Sequence, residues 1–220
     1  MSSYLSQSIS NNGKTLNTFI VSLSGEPLPE FLENMIAKVY ENLSVVMKDS
    51  DQVLYIRDIK FLAIDGIYPG GHCYNRHEAM IAVPSWSVDE EQVQGSVAHE
   101  LHHMARWQNV GYGETLGGAI LSEGIATYYE KFISGWTPPW ASIELTKSMV
   151  QAAKQEWDNN TYNHSDWFFE GKLGRWVGYS IGYQIATELY KTKFSLEDSV
   201  KVHPNDIKPM LDKLLNSLKT

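Results

Sequence analysis

The run Val97-Ala98-His99-Glu100-Leu101-His102-His103 constrains the fold more than any other stretch of the chain. His99 and His103 stand four residues apart inside a segment that reads as a helix from Ser87 to about Gln108. Ser87-Val88-Asp89-Glu90 has the S-x-x-E form of a capping box, and Gly111 and Gly113 lie where such a helix would stop. Side chains four apart share one helical face, so both imidazoles can aim a nitrogen at one point, with Glu100 beside the first. This H-E-x-x-H spacing points to a metal, and a catalytic zinc takes three protein ligands with one position left open. Glu123 follows His103 by twenty residues, in a second predicted helix from about Glu114 to Ser134. The turn at Asn109 to Gly113 allows a helical hairpin that folds Glu123 back. The pattern therefore predicts one Zn2+ per chain, held by His99, His103 and Glu123.

Around this hairpin the patterning changes along the chain. Residues 1–15 are rich in Ser and Asn and read as loose. Asn17–Leu23 reads as a strand, and 29–48 as an amphipathic helix carrying Phe31, Leu32, Met35, Ile36, Val39 and Leu43 on one stripe. Val53–Ile64 reads as a strand, 66–71 as a turn-rich loop, and Ala79–Val83 as a short strand ended by Pro84. Beyond the loop at Gly135–Trp140, helices are expected at about 141–157, 172–192 and 204–219. The chain of 220 residues is thus expected to be a single α+β domain. A strand-rich part (16–86) precedes the two metal-binding helices (87–134) and a helical C-terminal part (135–220).

His99-Glu100-x-x-His103 followed by Glu123 resembles the gluzincin clan of zinc peptidases, with the thermolysin-like separation between the second histidine and the glutamate. Ser122-Glu123-Gly124-Ile125-Ala126-Thr127-Tyr128 is similar to the N-E-G-F-A-[ST]-Y motif of zinc aminopeptidases. The nearest resemblance, over about residues 78–190, is to a bacterial family of predicted zinc-dependent proteases. These carry H-E-L-H-H, S-E-G and G-Y-x-x-G-Y, the last present as Gly178-Tyr179-Ser180-Ile181-Gly182-Tyr183. The resemblance implies a zincin-like pair of helices and a peptidase with Glu100 as general base. Tyr179 or Tyr183 would be the oxyanion donor, with Tyr179 favoured and Arg175 a third candidate. Two departures matter. The G-x-M-E-N amine anchor of the aminopeptidases is absent, which favours an endopeptidase over an aminopeptidase. Thr127 stands where thermolysin-like enzymes carry the aspartate that orients a ligand histidine.

Composition narrows the remaining classes. With 18 basic and 26 acidic residues the net charge is −8, which offers no footprint for nucleic acid. No stretch is long and apolar enough to span a bilayer, and the polar start lacks the pattern of a signal peptide. Cys73 is the only cysteine, so no internal disulfide forms, and a cytoplasmic protein is expected. His102 lies off the face of the ligand pair and reads as a structural or surface histidine. His72 and His77 read as polar loop residues, and Trp136 and Trp140 as core caps. The expected substrate is a peptide or small protein. The alternatives are a non-catalytic zinc domain that binds a partner and a zinc hydrolase of non-peptide amides or esters. An intact Glu100 speaks against the first, because a structural zinc site needs ligands and no base.

Overall fold

The structure, a computed structural model, describes residues 4–218. Asn12 and Gly13 both take left-handed backbone angles, φ +52° and +71°, as a two-residue hairpin turn matched to right-twisted strands requires. Strands β1 (Tyr4–Asn11) and β2 (Lys14–Val21) close on that turn as an antiparallel pair, with Asn11 opposite Lys14. The expectation that residues 1–15 are loose is therefore wrong from Tyr4 onward, and its first three residues lie outside the described ones. The Ser-rich composition masks a period-two pattern in which Leu5, Gln7 and Ile9 are the more buried members of an edge strand.

Three further strands, β3 (Asp51–Asp58), β4 (Gly70–Asn75) and β5 (Glu78–Val83), complete a five-stranded sheet of order β1-β2-β3-β5-β4. β2, β3 and β5 run parallel to their neighbours in turn, while β4 pairs antiparallel with β5 and forms the second edge. The loop expected at 66–71 overlaps the start of β4, because Gly70 and Gly71 look like turn residues. Conversely, the strand expected to reach Ile64 ends at Asp58 and gives way to a 3-10 turn at Lys60–Leu62.

Leu16, Ile20, Leu54, Ile56, Ala79 and Ile81 alternate along the inner strands and are fully buried. Helix α1 (Leu32–Ser44) supplies Leu32, Met35, Ile36, Val39 and Leu43 to the same core. Burial stabilises by about 1.5–3 kcal/mol for each large apolar side chain. Helix α2 (Glu90–Trp107) packs on α1, β4 and β5 and is buried almost continuously from Val93 to Arg106. Its start differs from the expected capping box. Asp89 is the N-cap, no side chain caps the helix, and Ser87 Oγ instead lies 2.7 Å from Ser85 Oγ. Glu90 and Glu91 in the first turn supply negative charge to the positive end of the helix.

The chain divides into two compact units, Met1–Asn109 with Tyr129–Trp136, and Val110–Tyr128 with Thr137–Thr220. Helix α3 (Leu116–Ser134) begins in the second and ends in the first. The second unit holds α4 (Lys147–Gln155), α5 (His164–Phe168), α6 (Val177–Tyr190), α7 (Leu196–Ser199), α8 (Pro204–Ile207) and α9 (Met210–Ser217). Its core gathers Ile120, Trp157, Phe168, Ile181 and Ile185. The helix expected at 204–219 is broken at Lys208-Pro209, where the proline ring cannot continue the backbone ladder. The fold class is α+β, as the sequence implies. Among the described residues no helix is long and apolar enough to cross a membrane.

Candidate metal centre

One turn apart on α2, His99 and His103 bring their Nε2 atoms to 3.0 Å from each other, with ring planes inclined by 75°. The far nitrogen of His99, Nδ1, lies 3.1 Å from Glu130 Oε2 in the C-terminal part of α3. A carboxylate only accepts, so Nδ1 carries the proton and Nε2 presents its lone pair toward His103. Glu130 is fully buried, and the space for it comes from Gly95, one turn before His99. A Cβ on Gly95 would stand 2.9 Å from Glu130 Cγ. The orienting carboxylate that Thr127 cannot supply is therefore found three residues later. Its signal in the sequence is the spacing of seven from Glu123, two turns along one face of α3.

Glu100 is buried against the edge strand β4, at Gly71. A Cβ on Gly71 would fall 2.4 Å from Glu100 Oε1 and 2.7 Å from its Cδ. His102 points elsewhere, buried with its ring 5.5 Å from that of Tyr129. Burial first, then the neighbouring charges of His103, Arg106 and His99, push its pKa well below 6.5. It is a neutral core histidine, the structural one of its two expected roles.

Glu123 is buried on α3 and accepts a hydrogen bond from the Tyr112 hydroxyl at 2.5 Å. Burial raises Tyr112 well above its usual value of 10, and the adjacent Glu123 charge adds to that, so the phenol stays a donor. Tyr162 is raised by burial and then by Glu123, and Tyr179 also acts on Tyr112. Tyr112 and Tyr162 thus both feel the Glu123 charge, and Tyr112 is the one that donates to it. Tyr179 packs edge-on against Phe168 at 5.2 Å, while the Tyr183 ring lies 6.2 Å from that of Tyr128. The Arg175 guanidinium lies over the Trp176 ring at 4.0 Å. His72 and His77 are exposed on β4 and the turn after it, with His77 Nδ1 3.1 Å from the Asp51 carbonyl oxygen. Trp140 is buried and Trp136 lies beside Tyr68.

Among the described residues, one potential ligand atom from each of His99, His103 and Glu123 lies within 4.8 Å of the others. Two imidazole nitrogens and a carboxylate oxygen are a donor set that suits Zn2+. Glu130, Tyr112 and Gly71 were not expected at the site. Only Glu130 had a readable signal.

A family profile described as "Predicted Zn-dependent protease (DUF2268)" matches residues 32–209, most of the chain. The chain belongs to this family. The search of curated proteins returned no match. Similar solved structures include a two-domain M1 zinc metallopeptidase mutant bound to L-tryptophan, 15% identical, with a TM-score of 0.52 over 100% of this chain and 53% of that one. An aminopeptidase N family protein from Idiomarina loihiensis is 12% identical, with a TM-score of 0.51 over 96% of this chain and 41% of that one. An M1 zinc metallopeptidase mutant from Deinococcus radiodurans is 15% identical, with a TM-score of 0.51 over 99% and 49%. The family member described here thus shares their fold while spanning about half the length of these structures.

Proposed function

We propose that this protein is a zinc-dependent endopeptidase of the cytoplasm that cleaves peptides or small proteins. His99, His103 and Glu123 would hold one Zn2+ per chain. The observation that carries the proposal is the convergence of the His99 and His103 Nε2 atoms at 3.0 Å, with Glu130 fixing the tautomer of the first. Zinc, when bound, supplies a Lewis acid that makes water a nucleophile near neutral pH. Glu100 takes the proton from the attacking water and passes it to the departing amine. Tyr179, or Tyr183 one turn further on, donates a hydrogen bond to the oxyanion that develops at the scissile carbonyl. The endopeptidase reading rests on the lack of a G-x-M-E-N amine anchor in the sequence.

Purified protein should contain about one zinc per chain and cleave members of a peptide library at neutral pH. Glu100→Gln should keep the zinc and the fold but lose ~10²–10⁴-fold in turnover, because an amide cannot take the proton. N-acetylated peptides should be cut as well as free ones. Protein that neither carries nor takes up zinc refutes the site, near-normal turnover by Glu100→Gln refutes the base, and a strict need for the free amine refutes the endopeptidase assignment.

A further inference from the structure

Tyr112 sits in the short connection between α2 and α3, flanked by Gly111 and Gly113 at φ +82° and +110°. This connection lies directly on the start of α3. A Cβ on Gly113 would stand 2.7 Å from the Gly118 Cα. The start of α3 is itself tied down, since Leu116 N–H donates to the Asn159 carbonyl at 2.9 Å and Gly117 N–H to that of Trp157 at 2.8 Å. A Cβ on Gly117 would run into the Trp157 indole at 2.3 Å. Donor and acceptor of the Tyr112–Glu123 bond therefore belong to one tightly packed segment. Its O···O distance of 2.5 Å falls in the charge-assisted range.

We propose that Tyr112 is a positioning residue for Glu123, holding Oε1 so that the other carboxylate oxygen is the one offered to a metal ion. The inference rests on the reading of Glu123 as a zinc ligand. A phenol proton on Oε1 occupies one of its two lone pairs and draws off negative charge, which disfavours chelation through both oxygens. With the bond kept, one lone pair of Oε1 is engaged and ligation through the other oxygen is favoured, so that three protein donors would leave a fourth position open. Tyr112 thereby controls coordination number as well as carboxylate orientation.

The test compares Tyr112→Phe with wild type and with Tyr162→Phe, which removes a phenol that the Glu123 charge reaches without the Tyr112 bond being touched. Zinc affinity by chelator competition should fall ~10–100-fold in Tyr112→Phe, and stay near wild type in Tyr162→Phe. The cobalt-substituted wild type should show the intense visible bands of four-coordination, and Tyr112→Phe the weaker bands of a higher coordination number. The unfolding temperature of the metal-free Tyr112→Phe protein should match that of wild type. Unchanged affinity and spectrum in Tyr112→Phe overturn the inference. So does an equal loss in both variants, or a fall in metal-free stability without a spectral change. A wild-type protein that binds neither zinc nor cobalt would instead overturn the reading of the site itself.

Discussion

Glu100 keeps its place because Gly71 has no side chain. A methyl group there would overlap the carboxylate at 2.4 Å, and the flexible glutamate, not the sheet, is the part that can yield. Gly71→Ala should therefore retain zinc and unfold near the wild-type temperature, yet lose about 10²-fold in kcat, the scale of a misplaced catalytic group. Steady-state kinetics beside elemental analysis would check this, and normal kcat in a folded Gly71→Ala protein would show that the contact does not set the base. Gly71 also marks what sequence could not convey. His99, Glu100 and His103 stand out because their spacing repeats the helical turn. Glu123 follows from them by the need for a third donor. Gly71, Gly95 and Tyr112 matter only through partners distant in sequence or held by a loop, and no periodicity announces such contacts.

Helix α3 meets α6 where Gly124 faces Gly182, with no room for a side chain on either. A Cβ on Gly182 would lie 2.1 Å from the Ile120 carbonyl oxygen, and one on Gly124 would lie 2.0 Å from the Gly182 carbonyl carbon. Both obstacles are backbone, so the helices themselves must separate. Gly182→Ala should cost about 1–3 kcal/mol of unfolding free energy, as overpacking does, despite the better helix propensity of alanine. It should also weaken zinc binding, since Glu123 precedes Gly124 on the displaced helix. Denaturant unfolding equal to wild type would contradict this close approach. Helix α1 was legible from its apolar stripe, and α2 from the glycines that follow it. The two edge strands were not. β1 is polar, its buried alternation is shallow, and its Asn12-Gly13 turn went unread. β4 opens on Gly70-Gly71, which resembles a turn until β5 is seen paired beside it.

At the level of the whole molecule the α+β class was legible from strands preceding helices, whereas the division into two units was not, because α3 runs through both without any break in composition. Acid stability is a property of this scale, because carboxylates pin β3 at both ends. Just before β3, Asp49 is held below the usual carboxylate range by the Arg76 hydrogen bond, which burial only partly offsets. At the other end, burial works to raise Asp58, but hydrogen bonds from Ser24 and from the Leu23 and Ser24 N–H groups outweigh it and lower its pKa. Leu23 N–H reaches Asp58 Oδ1 at 2.5 Å and Ser24 N–H reaches Oδ2 at 2.9 Å. With folded pKa values below the unfolded value of about 3.9, the native state binds fewer protons than the unfolded chain in the acid range. Their contribution is therefore complete above about pH 4 and is lost as pH falls through the folded values. Measured on metal-free protein as the difference in unfolding free energy between wild type and Asp58→Asn, so that His102 and the ligand histidines cancel, the Asp58 share should be flat from pH 7 to 5 and decline below about 4. Asp58→Asn should lower stability at pH 7 by about 1 kcal/mol, and the acid decline should become shallower, because one of the groups that drives it is gone. An Asp58→Asn protein whose stability parallels wild type at every pH would show that the carboxylate charge does not hold the end of β3.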